Sequence, residues 1–546
     1  MRALRAAALY VALSFLLTFP LPLKLRIMDA GDAAFFCWAI GWEVHALETD
    51  LRLLPHGNMF HPLRYTLGMD EPILGTTVLV LPLAVFTRDA VFLANVARLL
   101  TFPLSALAAY LLARTLGCGE GPSLIAGAAF AFSPIRTDQI AHLSTLGTQW
   151  LPLVPLFIVR FFRAGQARDA ALAAAAFVLA ALACGYHAVT GLIVLPAFVL
   201  PLLWGRWRRL PVALAGAAAA GIALLPLYAL HRAALAPLQY TRNTAETAEY
   251  SAAIETFFSS PSWNRVWAGP TAAFRDTHSN NLFPGAVLPL LALAGAWSLL
   301  RRRERPSREA LALVLMALAA VLVALGPEIR LFGRTLLPGP FALARLLPTF
   351  RMIRVPSRVG AYLALALAML AAKGLGRLRL GPAALTAIGA LALAETVIAP
   401  IPMPAWAQVV DSRRPPPPVY AWLAAQPDDP VVVELPMQDI NGLTERPAFH
   451  ESIYLVHSTR HWRRLANGYA GIEPAPYVEL REKARRFPSA ASLDALRERG
   501  VRYVILHRGG YGPNRWDHIQ RDLPLFADRL RPVGQFDADT VFELVR

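Results

Sequence analysis

Long apolar runs separated by short polar segments fill residues 1–402 of the chain. The clearest runs are Leu4–Leu23, Phe92–Ala113, Ser123–Phe132, Trp150–Phe162, Ala170–Tyr186, Ala188–Leu203, Val212–Leu230, Leu282–Leu300, Ala310–Leu325, Val359–Ala372 and Pro382–Ile398. Several are shorter than the roughly 20 residues that cross a bilayer, so their polar-flanked ends must complete the crossing. The pattern predicts an α-helical polytopic membrane protein with about 11 spans.

Basic clusters follow every second span and set the predicted orientation. They are Arg160–Arg168, Arg206–Arg209, Arg301–Arg308 and Lys373–Arg379. Because Lys and Arg accumulate on the cytoplasmic side, these clusters predict a cytoplasmic N-terminus and an extracytoplasmic C-terminus. This orientation requires that the chain crosses the membrane only once between Asp32 and Arg114. The 14-residue run Ile73–Phe86, which contains Pro82, is therefore expected to lie along the outer interface or to re-enter it.

The character of the sequence changes after Pro400. We predict a transmembrane domain over residues 1–402, with a first outer loop at 24–90, a proline-rich linker at 403–418 and a soluble domain at 419–546. Strands are expected at Val431–Leu435, Val501–His507 and Thr540–Val545, with a helix at Ser489–Arg499 that Gly500 ends. This pattern is typical of a small extracytoplasmic α/β domain.

Composition supports a membrane protein and excludes other classes. The 546 residues are 56% hydrophobic and 16% charged, with a mean hydropathy of +0.43, whereas a soluble chain carries roughly 25% charged residues. The formal charge of +16 comes largely from arginines between spans, so no nucleic-acid partner is predicted. Three separated cysteines predict neither a disulfide framework nor a zinc site. The first apolar run lacks a small-residue cleavage site and is expected to stay as a helix.

Two carboxylates follow the first span. Asp29 and Asp32 lie three residues apart in the stretch Met28–Leu47. Ionisable groups at a bilayer boundary are costly to place, so they indicate a functional site. The alternative is a wet polar loop, since exposed aspartates are commonly only solubilising.

Three further regions share the predicted outer face. They are Arg136–Gln149, which contains Asp138 and His142, the long loop His231–Asn281, and Arg330–Arg358. The last region is rich in arginine although it lies on the side where arginine is usually scarce. An anionic ligand would explain this departure.

A base and a cation cluster at a membrane surface suit one kind of substrate. A carboxylate can act as general base on an incoming hydroxyl, and arginine can bind phosphate through two parallel hydrogen bonds. A sugar on a polyprenyl phosphate keeps its tail in lipid and its head outside, and its phosphate is already a good leaving group. The outer arginines would stabilise charge in the transition state.

Several motifs carry a resemblance to a known superfamily. The stretches DAGDAAFFCWAIGW, NMFHPLRYTLGMDEPILG, SPIRTDQIAHLSTLGTQWLPL and TFRMIRVPSRVGAYLALALAMLAAKGLG resemble bacterial GT-C membrane glycosyltransferases. These are relatives of the dolichyl-phosphate-mannose-type protein mannosyltransferases and lipid A aminoarabinose transferases. In the soluble tail, HWRRLANGYAGIEPAPYVEL and GVRYVILH resemble uncharacterised members of the group. The resemblance implies a GT-C fold, an essential first-loop aspartate and a lipid-phosphate sugar donor.

The resemblance assigns roles to individual positions. Asp32 is the predicted catalytic base and Asp29 the second candidate. Glu71 is expected to hold the acceptor or a metal, or to mark the interface. Asp138 and His142, four residues apart, are expected to share a helix face as part of the site or as a polar cap. Three arginines are expected to line one side of a helix start and to bind the donor phosphate, with headgroup anchoring as the alternative: Arg351, Arg354 and Arg358. Arg98 is expected to snorkel to the interface.

Cofactors and competing functions complete the expectations. No cofactor is predicted. A divalent metal held by Asp29, Asp32, Asp138 and His142 is the alternative, and it is not favoured because similar enzymes that use lipid-phosphate sugars generally work without one. The expected location is a bacterial cytoplasmic (inner) membrane, and the acceptor is a glycan, a lipid or a protein. Competing interpretations are an inactive scaffold that binds a partner and a flippase for lipid-linked saccharides, although no internal repeat is visible.

Overall fold

The fold is described from a computed structural model of the chain. It describes residues 1–275, 278, 280–300, 307–378, 380–401, 410–438 and 447–545. The proline-rich linker predicted at 403–418 lies partly outside these residues.

A helix occupies each of the eleven predicted spans. Their bounds are Arg2–Leu17, Ala90–Thr115, Glu120–Ala131, Leu153–Ala164, Ala167–Ala183, Gly185–Leu203, Leu210–Leu235, Val287–Leu300, Arg308–Ala324, Gly360–Leu375 and Pro382–Ala394. The long apolar runs therefore located the helices, with end points that differ by at most six residues from those in the structure. Within the described part of the chain, four helical segments are long and apolar enough to cross a membrane: Ala90–Thr115, Gly185–Leu203, Trp207–Leu238 and Pro356–Leu375. The number of crossings stays a prediction.

Shorter elements connect these helices. An 18-residue helix spans Asp32–Thr49, and one-turn helices lie at Leu74–Thr77, Leu81–Ala84, Pro134–Thr137, Leu143–Leu146, Phe341–Ala344 and Pro348–Arg351, with a six-residue helix at Thr244–Glu249. The run Ile73–Phe86 thus forms no continuous helix. Pro82 stands at the start of its second helical turn, where a missing N–H costs nothing.

The described residues form two compact units. One comprises Met1–Leu23, Ala97–Leu225 and Thr241–Pro402, and the other Lys24–Val96, Pro226–Tyr240 and Met403–Arg546. We call them the helical unit and the loop unit. Residues 24–96 therefore belong to the same compact body as the C-terminal region, a grouping that the sequence did not indicate.

Close helix packing builds the core of the helical unit. The helix Gly360–Leu375 is buried along nearly its whole length and packs against Val287–Leu300, Arg308–Ala324 and Glu120–Ala131. A Cβ atom at Gly295 would lie 2.3 Å from the Leu370 carbonyl oxygen, and one at Gly374 would lie 2.6 Å from that of Leu291. The two glycines therefore allow backbones to approach as small residues do between membrane helices.

One buried arginine also belongs to this core. Arg136 is 2% exposed, and its guanidinium donates to Thr148 Oγ1 at 2.6 Å and to the Leu146 carbonyl at 2.8 Å. Arg98 is buried as well and donates to the Ile140 carbonyl at 3.1 Å. The expectation that Arg98 snorkels to the interface is wrong, because this carbonyl holds its head group inside the protein.

A five-stranded mixed sheet organises the C-terminal part of the loop unit. Its strands are β1 (Val431–Leu435), β2 (Arg464–Leu465), β3 (Val501–His507), β4 (Leu530–Phe536) and β5 (Asp539–Leu544), in the order β2-β1-β3-β5-β4. Strands β1, β2 and β3 are parallel, whereas β3, β5 and β4 pair antiparallel. Accompanying helices are Pro418–Ala424, Glu451–Ser458, Ala475–Ala484, Ala490–Glu498 and Pro513–Asp522. The strand predictions at Val431–Leu435 and Val501–His507 are confirmed.

The predicted helix near Ser489 is confirmed with its stop signal. Ser489 caps the helix Ala490–Glu498 through a reciprocal hydrogen-bond pair with Ser492. Gly500 follows with a φ of 69°, a conformation that favours glycine at a helix end.

A buried charge cluster joins the sheet strands. His507 at the end of β3 contacts Asp539 Oδ1 through Nδ1 at 2.8 Å and Glu434 Oε2 through Nε2 at 3.0 Å. Tyr420 donates to the same Glu434 oxygen at 2.6 Å. Burial alone would lower the pKa of His507, but the two carboxylates raise it to about 9.

Replacing His507 should destabilise the sheet. In His507→Gln the buried Glu434 and the partly exposed Asp539 lose their cation, a change that costs roughly 3–5 kcal/mol for a buried pair. Because the folded-state pKa is raised above the unfolded value, the stabilisation is complete below about pH 6.5 and is lost as the pH rises through about 9. Proteolysis of the full chain in detergent between pH 7 and 10, corrected with an unfolded substrate, measures both effects. A wild-type protein equally resistant at both pH values would contradict the interpretation.

Candidate active site

The predicted base begins a buried helix. Asp32 is the first residue of Asp32–Thr49, and Gly31 before it has a φ of 80° and a ψ of −144°, a combination that essentially only glycine adopts. Residues 34–44 of this helix are all buried, as expected for a helix that is apolar on all sides. The stretch is therefore an ordered element with its acidic end at the positive end of the helix dipole.

The C-terminal segment hydrogen-bonds directly to this acidic end. The Tyr469 hydroxyl donates to Asp32 Oδ1 at 3.0 Å, and the Gly31 amide donates to Ser452 Oγ at 2.8 Å. Ser452 Oγ in turn lies 2.8 Å from His450 Nδ1. Tyr469 and Ser452 therefore connect the C-terminal segment to the start of the helix Asp32–Thr49.

A second carboxylate, which sequence reasoning missed, lies beside the first. Asp70 accepts hydrogen bonds from the backbone amides of Gly471 and, at 2.7 Å, Glu71. Removal from water, together with the nearby Glu71 and Asp32 charges and against the effect of these two amides, raises the pKa of Asp70 to about 6. Asp70 therefore retains a proton at a higher pH than an ordinary aspartate.

Asp29 and Glu71 are the other acidic residues predicted for this part of the site. Asp29 is half-buried and accepts from the Ala30 amide at 2.7 Å. Glu71 is also half-buried and follows Asp70 directly.

Glu43, not predicted as a site residue, is completely buried and accepts hydrogen bonds from the Ile73 amide at 2.8 Å and from the Thr77 hydroxyl. It ties the helix Asp32–Thr49 to the segment after Glu71.

The helical unit contains a separate polar cavity. Its volume is about 20 Å³, which is enough for one water molecule. The lining residues are Ile135, Arg136, Gln139, Thr145, Asn280, Asn281, Leu282, Ser357, Arg358, Gly360 and Ala361. Two arginines and several amide or hydroxyl groups thus surround a small polar space.

The three predicted phosphate-binding arginines have different surroundings. Arg358 lines the cavity and stacks over Tyr186 at 4.6 Å. Arg354 pairs with Glu246 at 2.9 Å and stacks over Tyr250. Arg351 is exposed and donates to the Arg345 carbonyl at 2.9 Å. Of these three arginines, Arg358 lines the cavity and Arg354 pairs with a carboxylate.

The expectation that these arginines share one helix face is wrong. Arg351 ends the short helix Pro348–Arg351, whereas Arg358 belongs to a 3-10 turn at Pro356–Val359. Arg354 lies between the two elements. Prolines 348 and 356 start separate turns, and the residue before a proline is disfavoured in a helix.

The predicted helix face with Asp138 and His142 is also wrong. Asp138 follows the short helix Pro134–Thr137, and His142 precedes another at Leu143–Leu146. Asp138 is 4% exposed and accepts from Asn281 Nδ2 at 3.2 Å. It therefore fixes the loop residue Asn281, which lines the cavity.

A bound divalent metal would need several His, Cys, Asp or Glu side chains close together. Among the described ranges, no group of three or more such residues is arranged to hold a metal ion. The expectation that no metal takes part stays a prediction.

Comparison with solved structures identifies the class of fold. The oligosaccharyltransferase of Archaeoglobus fulgidus in its apo form superposes with a TM-score of 0.55 at 13% identity, covering 100% of this chain and 74% of that one. The same archaeal enzyme, AglB, in complex with an inhibitory peptide and a dolichol-phosphate gives 0.55 at 13% identity, covering 98% and 74%. The mycobacterial arabinofuranosyltransferase AftD gives 0.52 at 17% identity, covering 99% and 41%. The GT-C resemblance is confirmed at the level of the fold.

The family follows from the sequence itself. Residues 11–395 match the family described as a domain of unknown function, DUF6311. Because this match includes well over half of the chain, the protein belongs to that family. No protein of curated function matches the chain.

Removing the Tyr469 hydroxyl should make the Asp32 carboxylate harder to ionise, and the pH dependence of the glycosyl transfer that we propose for this protein measures the effect. Tyr469→Phe keeps the ring that packs near Phe35 and His450 but removes a donor to Asp32. We expect the acidic limb of the pH–rate profile to move up by about 0.5–1 unit, because the ionised carboxylate loses a hydrogen bond.

The matched control is Tyr503→Phe, which removes a hydroxyl bonded to Gln426 in the C-terminal sheet. Its profile should coincide with that of the wild type. An unchanged acidic limb in Tyr469→Phe would show that the hydroxyl does not influence the reacting group.

Proposed function

We propose that this protein is an integral membrane, inverting glycosyltransferase that moves a sugar from a polyprenyl-phosphate donor to an extracytoplasmic acceptor. The observation that carries the proposal is the fold, which matches lipid-dependent glycosyltransferase structures over nearly the whole chain. One of those structures contains a dolichol-phosphate. The placement of Asp32 at an ordered, hydrogen-bonded helix start supports the same function.

Asp32 is the proposed general base. The acceptor hydroxyl oxygen attacks the anomeric carbon while Asp32 takes the hydroxyl proton. The bond between the anomeric carbon and the phosphate oxygen breaks, and the polyprenyl phosphate leaves with the electron pair. Attack opposite the leaving group inverts the anomeric centre. Tyr469 positions Asp32, whereas Asp29 remains the second candidate for the base.

Arg358 is the proposed contact for the donor phosphate. It lines a polar cavity in the helical unit, and its guanidinium lies over the face of the Tyr186 ring. The cavity volume is about 20 Å³, which is too small for a phosphate group. Binding of the donor phosphate therefore requires the Arg358 side chain to move away from its position over Tyr186. A guanidinium that exchanges an aromatic face for a phosphate would give a charge-assisted contact.

The remaining assignments are part of the same proposal. Glu71, Asp138 and His142 contribute to substrate binding, with Asp138 acting through Asn281. The protein is placed in a bacterial inner membrane with its N-terminus in the cytoplasm and its C-terminal region outside. A lipid, glycan or protein serves as acceptor, and no metal or cofactor takes part.

Asp32→Asn should abolish sugar transfer. An amide cannot accept the proton of the hydroxyl nucleophile, so we expect a loss of about 10²–10⁴-fold in kcat. The assay uses the purified full chain, radiolabelled polyprenyl-phosphate sugars and EDTA, so that activity of the wild type also tests metal independence.

Asp50→Asn provides the matched control, because Asp50 is exposed and only caps a short 3-10 turn. It should retain transfer, as should Asp29→Asn if Asp32 is the base. A normal rate in Asp32→Asn together with an inactive Asp29→Asn would move the base to Asp29.

Arg358→Gln should weaken use of the donor. Loss of one charge-assisted contact should lower kcat/KM for the donor by roughly 10–100-fold, and Lys should restore part of it. Arg351→Gln removes an exposed arginine from the same region and should leave this constant unchanged. Equal losses in both variants would contradict a specific role for Arg358.

A further inference from the structure

An apolar surface projects from the segment between two predicted spans. The strands Glu328–Leu331 and Arg334–Pro338 form an antiparallel hairpin, followed by the short helix Phe341–Ala344. Six large apolar side chains within sixteen residues are between 51% and 72% exposed: Phe332, Leu336, Leu337, Leu343, Leu346 and Leu347. We call them the 332–347 surface.

The segment that carries this surface is anchored to the helical unit. Phe341 and Phe350 are buried and pack edge to face at 6.1 Å. The Phe332 amide donates to Glu255 Oε1 at 2.8 Å, and Arg345 donates to Thr247 Oγ1 at 2.7 Å. The apolar side chains are therefore held outward by an ordered segment.

Water is a poor environment for this arrangement. Contiguous exposed apolar side chains on an ordered segment mark an interaction site. In addition, a two-stranded hairpin is only marginally stable in water when nothing covers it. All five residues of the strand Arg334–Pro338 are exposed, so the hairpin requires another medium or partner on its outer side.

Chain connectivity indicates what that medium is. The preceding helix, Arg308–Ala324, and the following one, Gly360–Leu375, both occupy predicted spans and pack against each other. Only three residues separate Ala324 from the start of the hairpin. The segment therefore leaves and rejoins the apolar helices at the same membrane boundary.

The charges beside the surface suit phosphate headgroups. Arg334 and Arg351 are exposed, and neither forms an ion pair with a described residue. Arg351 donates to the backbone at Arg345 and Leu346, which holds its guanidinium next to Leu346 and Leu347. Apolar side chains flanked by arginine are the composition of interfacial elements that bind anionic lipids.

We propose that the 332–347 surface lies in the boundary between headgroups and acyl chains, with Arg334 and Arg351 on the phosphates of anionic lipids. This element would fix the depth of the connecting segment that carries Arg351, Arg354 and Arg358. The inference does not depend on catalytic activity.

Fluorescence in lipid nanodiscs tests the proposal. The full chain carries an environment-sensitive label at Leu343→Cys or Leu337→Cys, since the three native cysteines are buried. We expect lipids with spin-labelled acyl chains to quench both positions about twofold or more relative to a label at Gln535→Cys, an exposed strand residue of the C-terminal sheet. Quenching no greater than at position 535 would overturn the proposal.

A second comparison tests the charge component. Arg334→Gln with Arg351→Gln should reduce quenching at Leu343→Cys in nanodiscs that contain phosphatidylglycerol, and should leave it unchanged in pure phosphatidylcholine. Retained quenching in both lipids would overturn the assignment of the arginines. Loss of quenching in both lipids would show that the double glutamine variant disturbs the structure of residues 332–347. In that case the variant with Arg334→Lys and Arg351→Lys, which keeps both charges, should restore quenching in phosphatidylglycerol, and its failure to do so would overturn the assignment of the arginines.

Discussion

Hydrogen bonds between residues 58–61 and the C-terminal segment hold the loop unit together. The Phe60 and His61 amides donate to the carbonyls of Asn467 and Leu465, each at 2.8 Å, and the Leu465 amide donates back to Asn58 at the same distance. This ladder continues the edge of the C-terminal sheet, because Leu465 belongs to β2. Buried backbone groups must be paired, so neither segment can satisfy its own polar groups without the other.

The acidic site depends on this pairing. Tyr469 and Gly471 follow the ladder directly and contact Asp32 and Asp70. Asn467 also orders the interior of the unit, since it accepts from the Glu434 amide and donates to the Glu451 carboxylate. Burial raises the pKa of Glu451 to about 8. A proton on Glu451 would therefore be retained at neutral pH, which avoids an uncompensated buried charge.

Local sequence patterns predicted the secondary-structure elements well, but they did not predict contacts between residues far apart in the chain. The strand Val501–His507 and the helix after Ser489 follow from alternation, apolar runs and capping residues, which act over a few positions. The bond from Tyr469 to Asp32 joins residues 437 apart, and nothing in either neighbourhood encodes it. Asp70 stands next to Glu71 in the sequence, and its burial, the nearby Asp32 charge and the Gly471 amide distinguish it only in the folded chain.

The arginines at positions 351, 354 and 358 show the same limit of sequence-based prediction. Their spacing matches a helix, but Pro348 and Pro356 divide the segment into separate turns. Charge compensation then separates their roles, because Glu246, more than a hundred positions earlier, pairs with Arg354. Spacing alone could not show which of these arginines lines a cavity and which pairs with a carboxylate.

The union of residues 24–96 with the C-terminal region has a consequence for biosynthesis. Asp32 leaves the ribosome 437 residues before Tyr469, an interval of roughly 20–90 s at the usual speed of synthesis. During this time the loop has no strand to pair with. The acidic end of the helix Asp32–Thr49 is therefore among the last parts of the protein to acquire its final surroundings, and a chain that stops before Tyr469 carries its acidic residues without the partner that orders them.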